Sequence, residues 1–136
     1  MEFSVDVSPA NRCAIVGLEG RFDLPNLKQA CARLLSHPEW KSDLDFMLVI
    51  NHRTDFNEVT LDRLKEVQDF LRGWNAEHRT GPKPRTAIVC SDDFKRVIAN
   101  LWLALVGNDW PIELGIFTSK QEALGWFARP GDVGRA

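Results

Sequence analysis

No stretch of this 136-residue chain approaches the roughly 20 consecutive apolar residues that a helix needs to cross a bilayer. Nor is one sign of charge in surplus. The 17 basic and 19 acidic side chains leave a formal net charge of -2, so no broad basic field draws the chain to nucleic acid or anionic lipid. The opening "MEFSVDVSPANR" lacks a basic region followed by an apolar one, so no secretory signal is read there and the cytoplasm is the expected location. There is no internal repeat, no G-x-S-x-G elbow, no H-E-x-x-H and no glycine-rich phosphate loop. These absences remove the motif-bearing hydrolase, zinc-protease and nucleotide-binding classes.

Cysteine is scarce and unpatterned. Cys13, Cys31 and Cys90 form no C-x-x-C and each lies in an apolar segment, so they read as small buried hydrophobes in a reducing compartment. His37, His52 and His78 are scattered without ligand spacing. No metal and no cofactor are implied.

What is present is globular. Hydrophobic residues make up 44% and charged residues 26%, and a chain of this length buries roughly two-thirds of its unfolded surface in one core. Residues 1–128 read as a single domain, and 129–136, "RPGDVGRA", as a flexible C-terminal tail.

Residues 3–7 alternate apolar and polar with period two, and residues 13–19 return after the turn "SPANR", which predicts an antiparallel hairpin. "GRFDLP" opens a helix whose stripe is Leu24, Leu27, Cys31, Leu34 and Leu35. Residues 45–51 form a continuous apolar run, as in a strand covered on both faces, followed by the polar loop "HRTDFNEV". A long helix is predicted over 60–79, burying Leu61, Leu64, Val67, Leu71 and Trp74. Residues 86–90 are the next buried strand. "SDDF" opens a third helix with Ser91 as its cap, and 112–117 are the last strand. Ser119 and Glu122 have capping-box spacing, and Ala123, Leu124, Trp126 and Phe127 follow as the apolar face of a terminal helix that covers the sheet. Helical crossovers demand parallel pairing of the later strands. The expected fold is therefore α/β: a single-domain, mixed five-stranded sheet, a hairpin and then βαβαβ crossovers, with about four helices.

Three passages, "GRFDLPNL", "RTAIVCSDDF" and "IELGIFTSKQEALGWF", resemble the small SpoIIAA-like proteins of the STAS/Sec14-like superfamily. The likeness spans residues 13–128. It implies a five-stranded mixed sheet with helices and, in true anti-sigma-factor antagonists, a phosphorylated serine at the start of the helix after the third strand. That site reads Asp-Ser-Ser/Thr-Gly in the family; here the stretch is "NHRTDFNEVTLDRL", where Thr60 is the candidate phospho-acceptor and also a candidate helix cap.

Two groups of residues are candidates for function. A polar cluster, His52, Asp55, Asp92 and Asp93, belongs to loops at the carboxyl edge of the sheet, where α/β folds place ligands. A histidine beside acids is the raw material of a hydrolase-type site around His52, Asp55 and Asp92, but strand-end loops and helix starts are polar in any such fold. The run "EHRTGPKPR" is a small basic patch, read as a solvated connector. The second group is apolar. Nearly every residue over 97–106 is apolar; with Phe94, Val97, Ile98, Leu101 and Leu105 assigned to the sheet, Trp102, Leu103 and Val106 are left over, with Trp110 close behind. Such a surplus needs a cover. The expected function is a non-enzymatic interaction or regulatory domain that dimerises through this third helix, with another regulatory protein as a further candidate partner. The alternative is a Sec14-like carrier of a small apolar or lipid-like molecule held near Trp102 and Trp110.

Overall fold

The computed structural model describes residues 2–57, 59–80, 84–106 and 112–128. Within them β1 (Glu2–Ser8) and β2 (Cys13–Arg21) form the hairpin, with Val5 opposite Val16. Period-two alternation aims Phe3, Val5 and Val7 at one face and Ser4 and Asp6 at the other. The chain then runs α1 (Leu24–Leu35), β3 (Asp45–Asp55), α2 (Leu61–His78), β4 (Arg85–Cys90), α3 (Asp93–Val106), β5 (Glu113–Phe117) and α4 (Lys120–Ala128).

Among the described residues five strands make one sheet in chain order, β1-β2-β3-β4-β5. The first pair is antiparallel and the others are parallel, so the sheet is mixed. The protein is α/β. Right-handed crossovers that each advance one strand in the same direction place their helices on one face. Accordingly α1, α2 and α3 share a face with Val16, Leu18, Leu48, Ile50 and Ile88. After β5, α4 packs on the opposite face, onto Cys13, Met47, Ala87 and Val89.

Both strands of the β2–β3 pair run further than the sequence pattern predicts. After a bulge between Leu18 and Gly20, where Gly20 takes φ 84, pairing resumes at Gly20–Thr54 and Arg21–Asp55. The buried Thr54 hydroxyl donates to the Leu18 carbonyl at 2.7 Å and pins this extension. His52 and Thr54 therefore belong to a strand, not to a loop. Polar residues at a strand end were read as loop because period-two hydrophobicity fades there.

The buried faces of two helices also differ from the predicted stripes. On α2, Leu61 is 55% exposed, while Gln68 and Asn75 turn inward with Leu64, Val67 and Trp74. On α3, Trp102 and Ala99 face the sheet and Val97 and Leu101 face outward, at 65% and 44% exposure. The apolar surplus on α3 exists, but with different members. Nearly all of α3 is apolar, so periodicity could not choose between faces. Packing chose the one whose indole fills the space between sheet and α2. No described helix is long and apolar enough to cross a membrane.

Candidate functional site

The carboxyl edge is built from helix starts. An N-terminal turn leaves backbone amides without intrahelical partners, and short polar side chains supply the acceptors. Asp23 accepts from Asn26 N at 2.9 Å at α1, and Thr60 accepts from Arg63 N at 3.2 Å at α2. At α3 the cap is Asp92, which accepts from Lys95 N at 3.0 Å, in place of the expected Ser91. At α4 Ser119 accepts from Glu122 N at 3.2 Å. Glu122 answers by accepting from the amide and hydroxyl of Thr118, so the capping box closes one residue earlier than the spacing implies. Those hydrogen bonds hold the Glu122 carboxyl below the usual range.

The acidic members of the predicted cluster have local employment. Asp55 Oδ1 accepts from Asn57 N at 2.8 Å, and its carbonyl accepts from Phe22 N at 2.8 Å. Asp93 pairs with Arg96 one turn along α3. Asp92 caps a helix and Thr60 does the same, so the edge spends these groups on turns and helix ends. His52 sits in β3; its side chain, like that of Val106, lies outside the described residues, as does the whole of Trp110. Among the described residues no group of three or more His, Cys, Asp or Glu could hold a metal ion.

At the opposite, amino edge the connector read as solvated holds one buried arginine and one half-buried one. Arg79 is only 6% exposed. Its Nη1 donates to Asn75 Oδ1 at 3.3 Å and Thr86 Oγ1 at 2.6 Å, and its Nη2 to the carbonyls of Leu44 at 3.3 Å and Arg85 at 2.7 Å. Burial lowers its pKa to about 10, against the opposing pull of Asp45. Arg85 donates to the last carbonyls of α4, Trp126 O at 2.8 Å and Phe127 O at 2.6 Å, and pairs with Asp45 at 3.5 Å. A cation at a helix C-terminus answers both the orphan carbonyls and the dipole. These arginines fasten α2 and α4 to the strand starts; they are not a free anion site. Lys83 lies outside the described residues.

The remaining candidate is apolar and lies between the sheet and α2. A cavity of about 40 Å³ is bounded by Phe22, Ile50, Phe56, Leu64, Ala99 and Trp102. The Phe22 and Phe56 rings meet near its carboxyl-edge end with centroids 5.1 Å apart. Further along α2 a second cavity of about 30 Å³ is bounded by Phe46, Trp74, Asn75, Thr86 and Leu114. Leu27, Leu48, Leu71, Ile88 and Trp102 stand in the walls of both. A third recess of about 60 Å³ opens between the starts of α1 and α2, beside Asp23, Arg63 and Glu66, and shares Phe22, Leu64 and Val67 with the first. Trp102 thus points into the molecule as a cavity wall. Leu103 is half-buried.

Trp74 is the residue that sequence reasoning assigned to packing alone. Its ring stands edge-on to Phe46 at 5.9 Å and close to Trp40 and His78. Its Nε1–H is buried and meets no acceptor, and Arg79 Nε is in the same condition. The signal was faint: Gln68 and Asn75 fall on the inward stripe of α2, and polar residues at core positions mark places where packing is not the whole story.

Compared with protein-family models, curated proteins and solved structures, the chain matches none of them.

Proposed function

We propose that this chain is a non-enzymatic interaction domain of the SpoIIAA-like kind that pairs with a second copy of itself through the outward face of α3. The single observation carrying this reading is that Val97 and Leu101 stand 65% and 44% exposed on one side of a helix that is apolar nearly throughout. They lie four residues apart and so on one face. Fully burying each such side chain stabilises by about 1.5–3 kcal/mol, a sizeable sum for an exposed surface to forgo. The position supports the reading as well. α3 ends the layer of three helices, so its outer side is where the layer can be extended by another subunit. The mixed sheet, built from a hairpin and three crossovers, accords with the resemblance.

Sedimentation velocity tests this. The wild-type chain is expected to be a dimer at tens of micromolar, and Leu101→Glu and Val97→Glu to run as monomers. Both positions are solvent-facing, so each variant should keep the thermal midpoint of a wild-type monomer. A wild-type chain that stays monomeric across that range ends the proposal.

A further inference from the structure

Among the described residues the sheet ends at β1 on one side and β5 on the other, and the two ends differ. An outermost strand offers unpaired N–H and C=O groups to any extended chain that arrives, so proteins guard such edges with charge, proline or bulges. β1 is guarded. Asp6 stands exposed on it and its carboxylate takes the Val7 N–H at 2.9 Å, with Pro9 just beyond the strand. β5 is bare: it holds no proline and no lysine, its register with β4 runs without a bulge, and its one charge is Glu113 at its first residue. We propose that β5 is an interaction edge that adds an extended, apolar and basic segment of a partner protein to the sheet, antiparallel to β5.

The backbone fixes which groups are on offer. The Glu113 N–H donates to the Pro84 carbonyl at 2.8 Å, so Glu113 turns its backbone towards β4. Backbone direction alternates along a strand, so Gly115 and Phe117 do the same, while Leu114 and Ile116 turn theirs outward. Among the described residues no strand lies beyond β5 to take these two N–H and two C=O groups. Side chains give the edge two unlike sides. Leu114 and Ile116 join the cluster of Ala99 and Trp102 on the α3 side, and Phe117 joins that of Ala123 and Phe127 on the α4 side.

These sides set the chemistry of the incoming strand. An antiparallel segment places one residue opposite each of Leu114 and Ile116, where the two backbones exchange hydrogen bonds in close pairs. Those two side chains lie on the α3 side beside a leucine and an isoleucine, so they are apolar, and β-branched ones suit a strand best. The residue opposite Glu113 lies on the α4 side. Glu113 is in none of the ion pairs among the described residues, and Arg85, its neighbour on β4, is engaged with Asp45 and the end of α4. A lysine opposite Glu113 answers its carboxylate. A second copy of β5 fits worse. Antiparallel pairing of two copies centred on Gly115 sets glycine against glycine and Glu113 against Phe117. The centre then adds no side-chain contact and the carboxylate gains no cation, so the unanswered charge selects a foreign strand.

The probe is the capped peptide acetyl-TVTVK-amide, whose valines fall opposite Ile116 and Leu114 and whose lysine falls opposite Glu113. Backbone amide resonances of the ¹⁵N-labelled full chain give the readout. Saturable movement of the Leu114 and Ile116 resonances is expected, with those of β1 unmoved. Glutamate in place of the peptide's lysine should weaken binding about two- to tenfold, and Glu113→Lys should reverse that preference. Ile116→Pro removes one outward N–H and no bond to β4, so it should bind the peptide about three- to tenfold more weakly. The proposal is overturned by non-saturable shifts, by equal affinity of the wild type for the two peptides, or by a folded Ile116→Pro protein that binds as the wild type does. It is overturned as well if the Leu114 and Ile116 resonances move when the free protein is diluted, since a second copy then holds the edge. Should Ile116→Pro fail to fold, the charge reversal at Glu113 decides alone. The peptide uses neither Val97 nor Leu101, so Leu101→Glu should keep its binding, and loss of pairing through α3 is separately visible.

Discussion

Arg79 carries a charge into the protein interior and gives its guanidinium to four acceptors there. Removing it would take the guanidinium donors away from the buried carbonyls of Leu44 and Arg85 and from Asn75 and Thr86, so Arg79→Met is expected to cost about 3–5 kcal/mol in urea unfolding at pH 7. A change within experimental error would mean that water replaces it. The thiols make a second prediction at this scale. Burial pushes Cys13 and Cys31 up to about 12 from 9.0. The folded value lies above the unfolded one, so their contribution is complete below pH 9 and is lost as pH rises from 9 towards 12. Stability should fall there by up to about 1.4 kcal/mol per pH unit for each thiol. Cys31→Ala should remove its share of the slope; an unchanged slope contradicts the assignment. The chain has no tyrosine, so phenol titration does not confuse this window. Burial of the cysteines was legible because each sits in an apolar run. Burial of Arg79 was not, because hydropathy counts an arginine as surface and cannot see the carbonyls that the strand starts bring to it.

Helix ends explain why an apparent polar cluster collects at one edge. Asp92 and Thr60 each accept from an amide three residues on. Asn caps about as well as Asp and Ala does not, so Asp92→Ala should cost about 1 kcal/mol and Asp92→Asn only a few tenths, read from thermal midpoints. Equal losses in the two variants would point to a role for the charge itself. Element types and order were readable from the chain, since alternation, stripe and turn residues agree from the hairpin to α4. The face of α3 was not. Val97, Ile98, Leu101 and Trp102 differ little in hydropathy, and only the gap between α2 and the sheet decides that the indole goes in. The cavity was invisible for the same reason, since voids come from imperfect fit between side chains that pattern alone treats as equivalent.

Across the whole molecule the sheet keeps the order of the chain, so each strand pairs with its sequence neighbour. The two faces are served unequally: three helices cover one, and among the described residues α4 alone packs on the other, with Phe127 and Ala123 on Met47 and Ala87. Gly115 makes room for this, because a Cβ there would stand 2.8 Å from the Phe117 ring that packs on Trp126. Chain-order pairing lets the strands zip up from the N-terminus as the ribosome delivers them. Among the described residues α4 is the last helix in chain order, and it shields an entire flank. Until it docks, Met47, Ala87 and Val89 are left uncovered on that side. A chain cut after Thr118 should remain in that sticky half-finished form and pellet on centrifugation; a soluble, cooperatively melting fragment would show that the flank needs no shield.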